Sequence, residues 1–152
     1  MLRRRIYRFK EFKKNHLKIY NTPFIGDEEI EKIKKHFDVY IVGSDQIWNT
    51  SITNNSKAYF LHFVDDNSVK MAYAASIGKD YPNKVEEGYF REYLKSFFAI
   101  SVREKKLGNI LEHDFNIKST HVLDPVYLLS KDEWERIMKP VKLPKKYILT
   151  YM

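Results

Sequence analysis

Cysteine is missing from all 152 positions, which removes a disulfide framework and a thiolate metal site together and leaves the redox compartment open. Long apolar runs are missing too. No stretch approaches the roughly 18 residues that a membrane span needs, and Met1-Leu2-Arg3-Arg4-Arg5 leads into Phe9 and Lys10 without the apolar centre of a secretory signal. The expected location is therefore the cytoplasm, with the inner face of the membrane as a second option. The five histidines, His16, His36, His62, His113 and His121, share no metal-ligand spacing, and no Walker-type phosphate loop is present. Neither a metal nor a bound cofactor is expected. There is no internal repeat and no low-complexity tract.

What is present suits a globular domain: 43% of residues are hydrophobic and 15% aromatic, enough to build a core in a chain of this length. The formal charge of +7 is confined to one end. Residues 1–20 hold eight Lys/Arg against Glu11 alone, whereas the other 132 residues carry 19 charges of each sign. In that segment Ile6, Phe9 and Phe12 follow helical spacing with basic residues on the other faces. A solvated face of a helix that covers a sheet is the simplest reading. An anionic membrane surface or nucleic acid is the alternative partner.

Strands and helices then alternate. Residues 27–36 start acidic and end basic, which suits a helix dipole. Val39-Tyr40-Ile41-Val42 reads as a central parallel strand buried on both faces. Met71 to Ala75 and Ala99 to Val102 read as strands, with helices at Glu86 to Phe98 and Glu104 to about Glu112. His121 to Leu123 reads as a strand, Lys131 to Met138 as a helix capped by Ser130, and Tyr147 to Met152 as a last strand. This order predicts an α/β fold with a Rossmann-like, doubly wound parallel sheet. The expected division is a basic helix and loop over 1–26, a Rossmann-like domain over 27–146 that lacks its first unit, and over 147–152 the first strand of a further half.

In such sheets ligands bind beyond the carboxyl ends of the strands. The endings are Gly43-Ser44-Asp45-Gln46, Ser76-Ile77-Gly78, Arg103-Glu104 and Asp124-Pro125. Ser76, Gly78 and Asp124 also suit caps and turns. Arg103 ends an apolar strand and opens a helix, so its guanidinium and the free helix N–H groups can converge on a carboxylate or phosphate. An ion pair with Glu104 or another carboxylate is the competing use. Trp48 fits either a core anchor or a platform under a sugar ring. Asp45 fits either a proton acceptor for a hydroxyl or a helix cap.

Asp38-Val39-Tyr40-Ile41-Val42-Gly43-Ser44-Asp45-Gln46-Ile47-Trp48-Asn49, Tyr59-Phe60-Leu61, Tyr73-Ala74-Ala75-Ser76-Ile77-Gly78, Ile100-Ser101-Val102-Arg103-Glu104, Leu123-Asp124-Pro125 and Glu133-Trp134 occur in that order. As an ordered set they resemble the polysaccharide pyruvyl transferase family. The resemblance implies the N-terminal half of a two-domain fold like glycosyltransferase type B, with the active site between two Rossmann-like halves. It also implies transfer of pyruvyl from phosphoenolpyruvate, as co-substrate, to two hydroxyls of a glycan or lipid-linked sugar, giving a pyruvate ketal on a surface polysaccharide. Arg103 matches the family's phosphoenolpyruvate-binding arginine. Ser44, Asp45, Gln46, Trp48, Ser76 and Asp124 become candidates for the acceptor or the cleft, and no histidine here matches a catalytic one. The 152-residue chain is expected to be inactive alone. A nucleotide-sugar glycosyltransferase of similar architecture and a non-enzymatic module that binds an anionic surface or nucleic acid are the other readings. Nucleic acid ranks last among partners, because the body is neutral and carries no recognised binding motif.

Overall fold

The computed structural model describes residues 2–19, 26–33, 37–65, 67–138, 144–148 and 150, with the side chains of residues 2–5 left aside. Its elements, in chain order, are α1 (Leu2–His16), α2 (Asp27–Ile30), β1 (Val39–Val42), β2 (Val69–Ala75), α3 (Lys84–Tyr93), β3 (Ala99–Val102), α4 (Lys105–Phe115), β4 (Thr120–His121) and α5 (Lys131–Ile137). The four strands form one wholly parallel sheet in the order β1-β2-β3-β4. The Rossmann-like α/β class is therefore present.

Among the described residues the strand order never reverses, and the packing follows from that. Tyr40, Val42, Ala72, Ile100 and Val102 turn to one face, where they join Phe90 and Leu94 from the α3 region and Leu107, Ile110 and Leu111 of α4 in a single core. The aromatic residues fill its centre. Trp48 stacks on Phe60 with ring centroids 5.9 Å apart and meets Phe90 edge-on at 5.7 Å. Ring pairs at such distances add to the burial of large apolar area.

Among the described residues the opposite face stays open. Ile41 is 64% exposed, and a groove of about 500 Å³ runs over Ile41, Tyr73, Ala99, Pro125 and Leu128. This corrects the expectation for β1. Its β-branched run suits a strand, but among the described residues β1 pairs with β2 alone, as an edge strand buried on one face. An unbroken apolar run does not distinguish a doubly covered strand from an edge strand whose second face is bare.

Local chemistry sets the helix ends. Asn83 caps α3, its side chain accepting from the Val85 and Glu86 N–H groups, while Glu86 reaches back to the Asn83 N–H at 2.9 Å. This reciprocal box starts the helix at Lys84, ahead of the expected Glu86. The regular turns end at Tyr93, and a 3-10 turn over Leu94–Ser96 replaces the last part of the predicted helix. Helix α4 ends on Asn116 in the left-handed conformation, φ 55°, with the Ile117 N–H bonded to the Leu111 carbonyl at 2.9 Å. Ser130 caps α5 as expected, and the cap is a second reciprocal box with Glu133.

Other expectations shift. The helix expected over 27–36 is one turn of α followed by a 3-10 turn at Glu31–Ile33, and Lys34 to His36 lie outside the described residues. The strand at His121 begins at Thr120 and ends at once, although the Val122 N–H still bonds the Val102 carbonyl. Tyr147, Ile148 and Thr150 form no strand, since no neighbour offers them a ladder among the described residues, and the rest of 147–152 lies outside them. Helix α1 forms, but it does not bury its apolar side as a sheet cover would: Ile6 and Phe9 remain exposed, and Phe12 shares a small cleft with Ile137 of α5.

Candidate functional site at the carboxyl ends of the strands

The site begins with two glycines that no other residue can replace without movement. Gly43 ends β1 at φ 132°, and a Cβ there would collide with the Tyr73 carbonyl. Gly78 sits at φ 59°, where a Cβ would run into the Gln46 side chain. Both conformations lie where L side chains are strained. They let the turn after β1 lie flat against the end of β2.

The strand ends are then tied together by backbone bonds. The Ser76 N–H donates to the Asp45 carbonyl at 3.1 Å, the Trp48 N–H to the Ser76 carbonyl at 3.1 Å, and the Arg103 N–H to the Ala75 carbonyl at 3.1 Å. A bulge in β2 makes this possible. Ala72 pairs with Ile100, but Ala75 pairs with Val102, so one extra residue is accommodated, and Ala74 takes φ 51°. The Ser101 hydroxyl bridges the gap, accepting from the Ala74 N–H at 3.0 Å and donating to the Ala72 carbonyl at 3.1 Å. Ser101 was not among the expected site residues. A lone serine between Ile100 and Val102 in an otherwise apolar strand was the available signal.

Arg103 stands at the centre, 28% exposed. Its Nη1 donates to Asp124 Oδ2 at 3.0 Å and its Nη2 to Asp45 Oδ1 at 3.4 Å, while Nε lies 3.7 Å from Glu104 Oε1. Ser44 Oγ donates to the same Asp124 oxygen at 3.1 Å. Partial desolvation works against the guanidinium charge, but the bond to Asp124 and the neighbouring Glu104 and Asp45 outweigh it and raise the Arg103 pKa. Asp124 is held below its ordinary value, chiefly by the Val126 N–H and then by Arg103. One guanidinium thus faces three carboxylates, a formal local charge of −2.

The structure brings together Ser44, Asp45, Arg103 and Asp124 and sets the others apart. Trp48 is fully buried in the core with its Nε1 donating to the Tyr59 carbonyl at 3.1 Å. This corrects its candidacy as a sugar platform, because no face of the indole reaches the surface. Ser76 is likewise inaccessible: its hydroxyl donates to Glu104 Oε1 at 2.5 Å and accepts from the Gly78 N–H at 3.0 Å. It is a joint between strand ends and not an acceptor contact. Gln46 braces the turn, its Oε1 accepting from Asn49 Nδ2 at 2.9 Å. The ion pair foreseen as the alternative use of Arg103 is what the structure contains. The N-terminus of α4 beside it has no side-chain cap, since Glu104 makes no such bond.

A second polar cluster lies behind the turn. Glu86 has no exposed surface, and its Oε1 accepts from the Thr50 N–H and hydroxyl at 2.9 Å each and pairs with Lys79 Nζ at 2.7 Å. It is fully satisfied and closes the loop after Gly78 onto α3. Asn83-x-x-Glu86 was the sequence signal for it.

Parallel strands, helices between them and polar residues gathered at the carboxyl ends define a Rossmann-like α/β domain with a strand-end site. The model of the family described as polysaccharide pyruvyl transferase matches residues 2–152, and the chain belongs to that family. No curated protein and no solved structure matches it. The family places the chain with the transferases.

Proposed function

We propose that this domain receives phosphoenolpyruvate at Arg103 as one part of a transferase that builds a pyruvate ketal on a surface glycan or a lipid-linked sugar. The observation that carries the reading is the gathering of three strand ends on one partly open guanidinium, beside the uncapped N-terminus of an eleven-residue helix. Both features favour a bound carboxylate or phosphate. In the reaction one sugar hydroxyl adds to C2 of the enol while C3 takes a proton. The second hydroxyl then displaces phosphate from C2, and the phosphate leaves with its bridging oxygen.

The carboxylates around Arg103 define how an anion would enter. Asp45 makes the longer of the two Arg103 hydrogen bonds, and its side chain is 82% exposed. It is the partner that gives way. Asp124, also held by Ser44 and the Val126 N–H, stays and fixes the other edge of the guanidinium. Asp45 is then free to accept a hydrogen bond from a sugar hydroxyl.

Isothermal titration with phosphoenolpyruvate tests this on the 152-residue chain. Arg103→Ala should weaken binding at least tenfold, and Arg103→Lys less, because a point charge keeps the attraction but loses the fork. Equal affinity in parent and Arg103→Ala would remove Arg103 from the site. Preferential binding of a nucleotide-sugar would move the reading to a glycosyltransferase.

A further inference from the structure

Helix α1 takes no part in the strand-end site among the described residues, yet residues 1–20, which contain it, carry the whole net charge of the chain. Its described residues divide into three strips. Ile6, Phe9 and Phe12 follow one another at three-residue spacing on one side and are 47%, 57% and 38% exposed. Leu17 and Ile19, just beyond the last turn, are also exposed. Arg8, Lys10 and Lys14 flank that side, and Lys13 lies within it. The single acid, Glu11, falls on the far side, where it accepts from the Tyr7 hydroxyl at 3.1 Å.

We propose that α1 is an interfacial helix that lies on an anionic lipid bilayer. Apolar side chains exposed along one side match the shallow acyl boundary, and basic stems on either flank can bury their methylenes and lift their charges to the lipid headgroups. Charge complementarity selects anionic lipid over neutral lipid, because seven excess positive charges in residues 1–20 face a body of zero net charge. A nucleic acid would use the charges but not the exposed apolar area of Ile6, Phe9 and Phe12. The proposal is independent of the chemistry proposed for Arg103, and neither result bears on the other.

Vesicle co-sedimentation of the full 152-residue chain tests it, with phosphatidylcholine vesicles containing phosphatidylglycerol against phosphatidylcholine alone, at low and high salt. The chain should sediment with the anionic vesicles and be released as salt rises. Lys10→Glu with Lys14→Glu should weaken this at least about tenfold. Ile6→Asp with Phe12→Asp should weaken it to a similar degree while leaving the circular dichroism of the domain intact, since neither residue belongs to the core. Three outcomes overturn the proposal. One is equal binding to both vesicle types. Another is binding that the aspartate pair leaves unchanged but duplex DNA competes away, which marks a nucleic-acid surface. The third is no vesicle binding together with a dimer that the aspartate pair dissociates, which marks a protein contact.

Discussion

Two carboxylate clusters sit within one end of this domain and behave oppositely. Around Glu86 one buried carboxylate meets one lysine and four hydrogen-bond donors from Thr50 and Asn83, and nothing is left over. Around Arg103 one half-buried guanidinium is shared by Asp45, Glu104 and Asp124, and a buried carboxylate oxygen of Glu104 has no hydrogen-bond partner among the described residues. The first arrangement holds the fold, since a buried charge is tolerated only when fully paired. The second is oversupplied with acceptors and open to solvent, which is how a group that exchanges partners must be built.

Breaking the closed cluster should have the largest effect. Glu86→Ala strands the Thr50 and Asn83 N–H groups and the Lys79 charge, and should lower stability by about 3–5 kcal/mol in urea unfolding. Asn83→Ala removes the α3 cap and its bond to Thr50 and should cost about 1–2 kcal/mol. In the open cluster Arg103→Ala should change stability by only about 1 kcal/mol, because its ion pairs are partly screened by water, while its effect on phosphoenolpyruvate binding is large. Asp45→Asn should leave stability within about 0.5 kcal/mol and raise phosphoenolpyruvate affinity by removing a competing charge. A fall in affinity would mean that Asp45 orients Arg103 and does not compete with the ligand.

Acid sharpens the same contrast. Asp124 and Asp27 both titrate below their ordinary value of 3.8. For Asp27 desolvation opposes the shift, and the Ser56 hydroxyl and Lys57 N–H reverse it. Their contribution is fully present above pH 3.8 and disappears as pH falls through the lowered values. Asp124→Asn should therefore flatten the acid limb of a stability profile without changing the neutral plateau's dependence on pH.

The strands were legible because Val39 to Val42 and Ala99 to Val102 are short apolar runs closed by Gly43 and Arg103. Their places in the sheet were not, because pairing depends on partners far along the chain. Trp48 shows the limit for single residues: a large amphipathic ring suits a core and a sugar equally until Phe60 and Phe90 are placed against it. The Asp45 and Asp124 partners of Arg103 lie 58 and 21 residues away, beyond any local pattern. By contrast, Ser130 directly precedes its helix, and its role as the cap was readable, because a cap depends on residues within one turn.

The bulge at Ala74 carries a consequence for the length of β2. Each residue added to or taken from a strand turns everything after it over. With the extra residue, Ala75 points inward and Ser76 meets Glu104. A chain one residue shorter here would keep a more regular ladder but send the Ser76 hydroxyl to the opposite side, cutting the link between the second and third strand ends. Insertions and deletions between Met71 and Ser76 are thus far more damaging than most substitutions there, and a homologous chain that differs in length at this point will have a differently assembled site.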